Sequence, residues 1–164
     1  MFLVDANILI EAKNRYYAFD IAPGFWTWIE GAYQQGLACS IEAVRDELVA
    51  GNDELSDWAH ANPDFFKPID QATTNHFGDL TTWATSRHYR PEAIANFTGN
   101  NADFLLIAYA REHQHTVVTN ERSEPNSKKR ILIPDACNAM NVGTADTFQM
   151  LRATGAILNL GGSH

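Results

Sequence analysis

The chain has few cysteines, no long apolar run and fewer basic than acidic residues. Cys39 and Cys137 are its two cysteines in 164 residues, and their separation fits neither a disulfide framework nor the spacing of a zinc site. No apolar run approaches the roughly 20 residues that a membrane span requires. The first residues also lack the basic and apolar regions of a secretory signal. We therefore expect a reduced, cytoplasmic protein with no membrane contact.

The shortage of basic residues limits the classes of nucleic-acid binding. The chain has 12 Lys and Arg against 20 Asp and Glu, which gives a net charge of −8. A general nucleic-acid coat needs a basic surface, so this class is disfavoured. An enzyme whose acidic cleft holds metal cations remains compatible with the charge. The chain also lacks a glycine-rich phosphate loop and internal repeats.

The length and a hydrophobic content of 45% suit one well-buried domain. We expect that domain to span residues 1–160, and we interpret residues 161–164 as the remnant of a linker and tag. Short apolar runs predict four strands: residues 2–4, "LACS", "TVVT" and "ILIP". Helical patterns lie between them, one of them starting at Pro23 and stopping at Gly36, and another covering 102–112. This alternation predicts an α/β sandwich with a mostly parallel central sheet.

Several local features refine this prediction. Ser40 is expected to cap a helix that runs to Gly51, and Asn100 and Asn101 to cap the helix over 102–112. The stretch "DQATTNHFGDLTTWATSRHYR" reads as helical. Asp135 is interpreted as a helix cap and Asp146 as an acid in the first turn of the last helix.

Four acids occupy element ends or the border of an apolar helix face. Asp5 follows the run 2–4, and Glu121 follows "TVVT". Asp103 lies in the first turn of the apolar helix over 102–112, and Glu47 borders the apolar face of the helix after "LACS". The functional crevice of an open parallel sheet lies outside the carboxyl ends of its strands. We therefore expect these acids to meet at that edge.

Four segments carry a family resemblance: "FLVDANILIEA", "VRDEL", "NNADFLLIAYA" and "VVTNE". Their order and approximate spacing are similar to the four acidic motifs of PIN-domain ribonucleases, the family of VapC-like toxins. The resemblance extends from Met1 to about Gly155. The opening "DANILIEAKNRYYAFDIAPGFW" further resembles an uncharacterised PIN-like subfamily commonly found beside an antitoxin-type regulator. The resemblance implies a three-layer α/β/α sandwich and a metal-dependent endoribonuclease, the toxin of a toxin–antitoxin pair.

The resemblance also implies roles for individual residues. The catalytic and metal-binding acids would be Asp5, Glu47, Asp103 and Glu121, supported by Asn7 and Thr119. The cofactor would be Mg²⁺ or Mn²⁺, and the partners an RNA substrate and a cognate antitoxin protein, with a homodimer left open. The chain departs from the family pattern in the fourth motif, where Glu121 stands in place of the usual Asp.

The implied chemistry has a physical reason. Phosphodiester hydrolysis needs an activated water and a positive charge that compensates the charge developing on the phosphoryl oxygens. A divalent cation held by carboxylates supplies both, and it also offsets the repulsion between those carboxylates. Taken singly, each acid has an ordinary alternative role as a helix cap, a first-turn acid or a solvated surface acid.

Other features point less specifically to function. The densest basic run is Lys128, Lys129 and Arg130, a solvated loop that is also the first candidate for holding an RNA backbone. A second basic run contains Arg87, His88 and Arg90. The aromatic residues before and within the second helix suit the core, and some could stack on unpaired bases: Tyr16, Tyr17, Phe19, Phe25, Trp26 and Trp28.

Three functional classes remain at this stage. They are a metal-dependent endoribonuclease toxin, a catalytically weak PIN-like binding or regulatory module, and another α/β enzyme such as a phosphotransferase. The third is disfavoured because "DAN" follows the first strand where a dehalogenase-like phosphatase has Asp-x-Asp. The binding module is favoured by Glu121 and by the net acidity.

Overall fold

A computed structural model of the protein describes residues 1–159. The residues interpreted as a linker and tag, 161–164, lie outside this range. Within residues 1–159, no helix combines the length and apolarity that crossing a bilayer demands.

The core of the fold is a five-stranded sheet in the order β3-β2-β1-β4-β5. Every pair in it is parallel. β1 is the central strand, with Phe2 opposite Ala38 of β2 on one side and opposite Thr116 of β4 on the other. The strands are β1 (Phe2–Val4), β2 (Ala38–Ile41), β3 (Phe66–Lys67), β4 (Thr116–Val118) and β5 (Thr144–Ala145).

Ten α-helices connect and cover the strands of the described chain. Their bounds are α1 (Ala6–Glu11), α2 (Pro23–Gln34), α3 (Glu42–Ala50), α4 (Glu54–Ala61), α5 (Gln71–Thr74), α6 (Phe77–Ser86), α7 (Pro91–Phe97), α8 (Ala102–His113), α9 (Ile133–Ala139) and α10 (Thr147–Ala153). A π-helical segment, Ala12–Tyr16, extends α1, and a 3₁₀ turn, Pro63–Phe65, precedes β3. The predicted three-layer α/β/α sandwich is confirmed.

Local sequence explains the helices that matter most for the site. α2 starts at Pro23, which suits the first turn because proline lacks an N–H donor, and Gly36 follows its end with a φ of 72°. At α8, the Asn101 side chain accepts hydrogen bonds from the amides of Asp103 and Phe104. The cap predicted at Asn101 is confirmed. α8 is then buried through the run from Leu106 to Ala110.

The strand predicted over "ILIP" is wrong. Ile131 and Leu132 are not in the sheet, and Ile133 begins α9 with Pro134 in its first turn. Proline has no N–H for a strand ladder, whereas it fits a helix start. The fifth strand is instead Thr144–Ala145, which pairs with β4. Its two residues are too few to produce an alternating pattern in sequence.

Two helix predictions also need correction. Ser40 does not cap α3; it lies in β2, and its Oγ donates to the Val4 carbonyl oxygen at 2.6 Å. The stretch read as one helix divides at Asn75 and His76 into α5 and α6, and it ends at Ser86. Two residues beyond that end, His88 has a φ of 61°, which is incompatible with a continuing right-handed helix.

The two remaining acids exchange their predicted roles. Asp146 is the N-cap of α10, where it forms a capping box with Gln149. Asp135 lies in the first turn of α9, where its carboxylate accepts hydrogen bonds from the Ser123 hydroxyl and the Glu124 amide. Both acids are occupied by structural bonds.

Candidate active site

Asp5 is the most deeply buried acid of the site. It follows β1 directly, its amide donates to the Val118 carbonyl oxygen at 3.1 Å, and the residue is 2% exposed. Asp5 occupies the N-cap position of α1, yet its side chain makes no capping hydrogen bond. Asp5 therefore does not stabilise α1 as an ordinary helix cap would. Burial, and after it the charges of Asp103, Glu121 and Glu47 in that order, raise the pKa of Asp5 to about 7.

Asp103 reaches the same place from α8. It is half-buried in the first turn, while the capping work of that helix is done by Asn101. Burial, together with the charges of Glu121 and Glu47, raises the pKa of Asp103 to about 6, and Arg130 opposes this rise. Four acids from α3, α8 and the ends of β1 and β4 are thus within electrostatic range of one another.

Glu47 is the outermost of these acids. It lies on α3 one residue before the buried Leu48. The residue is exposed, although the sequence pattern suggested a semi-buried position. Loss of water on the side facing the protein raises the pKa of its carboxyl group. The Glu47 side chain therefore borders the cleft that holds Asp5.

Glu121 is held differently from the other acids. Its Oε1 accepts a hydrogen bond from Arg130 Nη2 at 2.7 Å, and its Oε2 accepts one from the Ile133 amide at 2.8 Å. The Glu121 side chain is 11% exposed, whereas Arg130 is 62% exposed. Glu121 therefore joins the loop after β4 to the start of α9, and both of its oxygens already have a protein donor.

The two residues expected to support the acids differ in their contacts. Thr119 is buried at the end of β4, with its Oγ1 3.5 Å from Asp5 Oδ2 and 3.1 Å from the Glu121 amide that donates to it. Thr119 therefore bridges Asp5 and the backbone of Glu121. Asn7 is exposed in the first turn of α1, and its side chain makes no hydrogen bond within the described residues.

The donor set of the cleft suits a hard divalent cation. Asp5, Asp103 and Glu47 offer carboxylate oxygens, which are the ligands that Mg²⁺ and Mn²⁺ prefer. All three groups have raised pKa values, chiefly because of burial, and a cation would favour their charged forms. Among residues 1–159, no three His, Cys, Asp or Glu side chains are already gathered at ligating distance. The residues fit the ion by chemistry, and binding would draw the carboxylates closer together.

A groove of about 600 Å³ lies against this cleft. Its walls include Glu121, Glu11 and two exposed aromatic residues, Tyr16 and Phe148. Tyr16 ends the π-helical segment after α1, which places its ring at the surface. Of the other aromatic residues before and within α2, Phe25 and Trp26 are buried in the core. Tyr17, Phe19 and Trp28 are partly buried and pack against it.

The basic run does not act as a single patch. Lys128 Nζ donates to the Arg87 carbonyl oxygen at 2.7 Å, and Arg130 is paired with Glu121. Lys129 is exposed and, with Arg130, Asn96 and Asp103, lines a small pocket of about 190 Å³. The part of the run nearest the acids is therefore Lys129 and Arg130.

Sequence reasoning missed the contact between Arg130 and Glu121. Nine residues separate them across an irregular loop, so no helical or strand period links the two positions. It also missed Phe148, which α10 brings to the groove from the far end of the chain. The available signal was the positive charge of Arg130 in a chain with four candidate site acids, but the sequence pattern indicates only a basic run in a solvated loop.

Similarity to solved structures is confined to the fold. The structure of VapBC2 from Rickettsia felis bound to a DNA fragment from their promoter aligns with a TM-score of 0.56 and 16% identity over 88% of this chain and 97% of that chain. FitAB bound to an IR36 DNA fragment aligns with a TM-score of 0.54 and 15% identity over 100% of both chains. FitAcB from Neisseria gonorrhoeae aligns with a TM-score of 0.53 and 16% identity over 88% of this chain and 96% of that chain.

Sequence comparison leads to a family. No curated protein sequence matches the chain significantly. The family profile described as "Domain of unknown function (DUF4411)" matches residues 2–158, which is nearly the whole described chain. Together with the sheet order and the structural likeness, this agrees with the resemblance to PIN domains. The chain belongs to the DUF4411 family, and its fold is that of a PIN domain.

Proposed function

We propose that the protein is a metal-dependent endoribonuclease that acts in the cytoplasm as the toxin of a toxin–antitoxin pair. The observation that carries the proposal is the burial of Asp5 at the end of β1, near three other acids. Asp5 is 2% exposed, and its side chain forms no capping hydrogen bond to α1. An isolated structural acid would be paired or solvated. A carboxylate that is neither suits a site that binds a cation.

Each residue of the cleft would have a distinct part. Asp5, Asp103 and Glu47 would hold Mg²⁺ or Mn²⁺, which supplies an activated water and charge compensation at the phosphoryl oxygens. Thr119 keeps Asp5 aligned with the loop that carries Glu121. Exposed Lys129 would contact the RNA backbone, and exposed Tyr16 beside the groove could stack on an unpaired base.

A nuclease assay tests this proposal. Structured and single-stranded RNAs would be incubated with the full chain in chelator, in Mg²⁺ and in Mn²⁺, and their ends sequenced. We expect cleavage in the metals and none in chelator. Asp46→Asn is the matched control, because Asp46 is an exposed acid next to Glu47 on the same helix. Cleavage that survives Asp5→Asn would refute the assignment, since it would identify a contaminating nuclease.

The toxin role would require an inhibitor. The acidic cleft suits a basic side chain, and an arginine of an antitoxin would match a carboxylate through two hydrogen bonds. The structural neighbours VapBC2 and FitAB are each bound to a DNA fragment in their solved structures. We expect expression of this chain alone to arrest growth and a small neighbouring gene product to copurify with it. Harmless expression without such a partner would argue against a toxin.

One observation favours a catalytically weak binding or regulatory module as the second candidate. Both oxygens of Glu121 have protein donors, and among residues 1–159 the metal ligands are not preassembled. In this alternative the chain would bind RNA through the same groove with little turnover. RNA that is bound and remains intact in Mn²⁺ would select it.

A further inference from the structure

We propose that Arg130 takes the place of a second metal ion beside Glu121, so that the acidic cleft binds one divalent cation through Asp5, Asp103 and Glu47. The inference rests on the metal-dependent function proposed above. It concerns the stoichiometry of the site and the role of Glu121, which by resemblance alone would be a metal ligand.

The contacts of Glu121 support this role. The guanidinium nitrogen Nη2 of Arg130 lies 2.7 Å from Oε1, and the Ile133 amide lies 2.8 Å from Oε2. Because a bound Mg²⁺ would lie about 2.1 Å from its ligand oxygen, an ion on Oε1 would lie at most about 5 Å from Nη2. Positive charges this close repel strongly in a partly buried site. Arg130 and a second ion therefore exclude each other.

Burial makes the pairing with Arg130 necessary. The Glu121 side chain is 11% exposed, and an ionised carboxylate at that burial needs a compensating charge. The loop supplies the charge within the chain, so Glu121 is neutralised without a metal. The same guanidinium lies beside Asp103, and the two residues line one small pocket. Arg130 thus supplies part of the positive charge of the cleft permanently.

The remaining acids lack such a partner. Asp5 accepts its side-chain hydrogen bond from the neutral Thr119 hydroxyl at 3.5 Å. The side chains of Asp103 and Glu47 form no ion pair within residues 1–159. The uncompensated charge therefore lies on Asp5, Asp103 and Glu47, and the bound cation belongs there.

Metal counting tests the inference. Mn²⁺ binding to the full chain would be measured by calorimetry and by the electron paramagnetic resonance of free Mn²⁺, for the wild type and for Arg130→Gln. We expect one ion on the wild type and a second, weaker ion on Arg130→Gln. We also expect the first ion to bind roughly tenfold more tightly to the variant, because a nearby positive charge is gone.

Three further variants serve as controls. Lys129→Gln removes a neighbouring positive charge without touching Glu121, and it should leave the count at one. Arg130→Lys keeps the charge and should also bind one ion. In Arg130→Gln combined with Glu121→Gln, the second site should disappear, which assigns it to Glu121.

The outcomes separate the two proposals. Two ions on the wild type would overturn the role of Arg130 and leave metal-dependent function intact. One ion on both the wild type and Arg130→Gln, with equal affinity, would also overturn it. No ion on either protein would overturn the metal-dependent function and this inference together.

Discussion

Asp5 and Glu121 are acids at the carboxyl ends of two adjacent strands, and they differ in the hydrogen-bond donors that surround their carboxylates. Asp5 follows β1, is almost fully buried and accepts a long hydrogen bond from a neutral hydroxyl. Glu121 lies beyond the end of β4 and has an arginine on one oxygen and a backbone amide on the other. The fold completes the environment of Glu121 and leaves that of Asp5 incomplete.

Within one cleft, Glu121 therefore favours stability, whereas Asp5 favours cation binding at the expense of stability. An acid with all its partners stabilises the loop that carries it, whereas a buried acid without a countercharge opposes folding. Sites that bind cations are commonly of the second kind, because function and stability compete there. We therefore expect substitutions on the two sides of the cleft to differ in sign as well as in size.

The largest effect should be on catalysis. Asp5→Asn, Glu47→Gln and Asp103→Asn should each lower RNA cleavage by at least about 100-fold, because each removes a charge that holds the cation. Circular dichroism should show that each variant is folded. Asp46→Asn, on the same helix as Glu47, should retain activity. Unchanged cleavage in any two of the three variants would show that the acids do not form one site.

The second effect is a pH dependence of the metal-free protein. Asp5 has a pKa of about 7 in the folded state against an ordinary value of 3.8, so the folded state binds more protons between these two pH values. Stability should therefore fall as the pH rises, by about 1–3 kcal/mol between pH 5.5 and 8. Urea denaturation in chelator measures it. Asp5→Asn should remove most of this fall, and a variant that keeps all of it would assign the titration to other groups.

The third effect contrasts the two sides directly. In chelator, Asp103→Asn should stabilise the protein by roughly 0.5–2 kcal/mol, because one repelling charge is lost. Loss of the favourable charge at the start of α8 opposes this gain, so the measured gain is a lower bound on the repulsion that the substitution removes. Mn²⁺ should stabilise the wild type by mass action and this variant much less. Melting lower than wild type with an equal gain from Mn²⁺ would identify Asp103 as a structural helix acid.

Glu121→Gln should act in the opposite direction on stability. It weakens the bonds to Arg130 and the Ile133 amide, and we expect a loss of about 0.5–1.5 kcal/mol in chelator. The exposed side of the ion pair limits the loss. The same denaturation assay applies. A gain in stability would place Glu121 among the repelling acids and erase the contrast with Asp5.

The smallest effect should be on RNA affinity. Lys129 is exposed and lies near Asp103, so Lys129→Gln should weaken binding a few-fold and lower the salt slope by about one counterion. Binding would be measured on uncleaved RNA with the Asp5→Asn protein as background. Equal salt slopes would remove Lys129 from the RNA path.

Much of this cleft was predictable from sequence, since its acids lie next to strong local patterns. Asp5 and Asp103 adjoin apolar runs whose period identifies a strand and a helix, and Asn101 marks where α8 begins. The start of α9 was misread because Ile131 to Ile133 is apolar enough for a strand, and Pro134 decides otherwise. The contact of Arg130 with Glu121 depends on the path of an irregular loop, which no period encodes. Two-residue strands such as β5 likewise depend on their neighbours for their existence.

The pairing of β1 with β4 has a consequence for how the protein is made. Phe2 to Val4 pair with Thr116 to Val118, so β1 cannot pair with β4 until a segment more than a hundred residues later in the chain has been synthesised. Contacts of such long sequence separation form late, after their loop-closure entropy has been overcome. During synthesis, Asp5 emerges first, yet the cleft cannot assemble until β4 and Glu121 have followed. The cleft of a nascent chain can therefore become active only after β4 and Glu121 have left the ribosome.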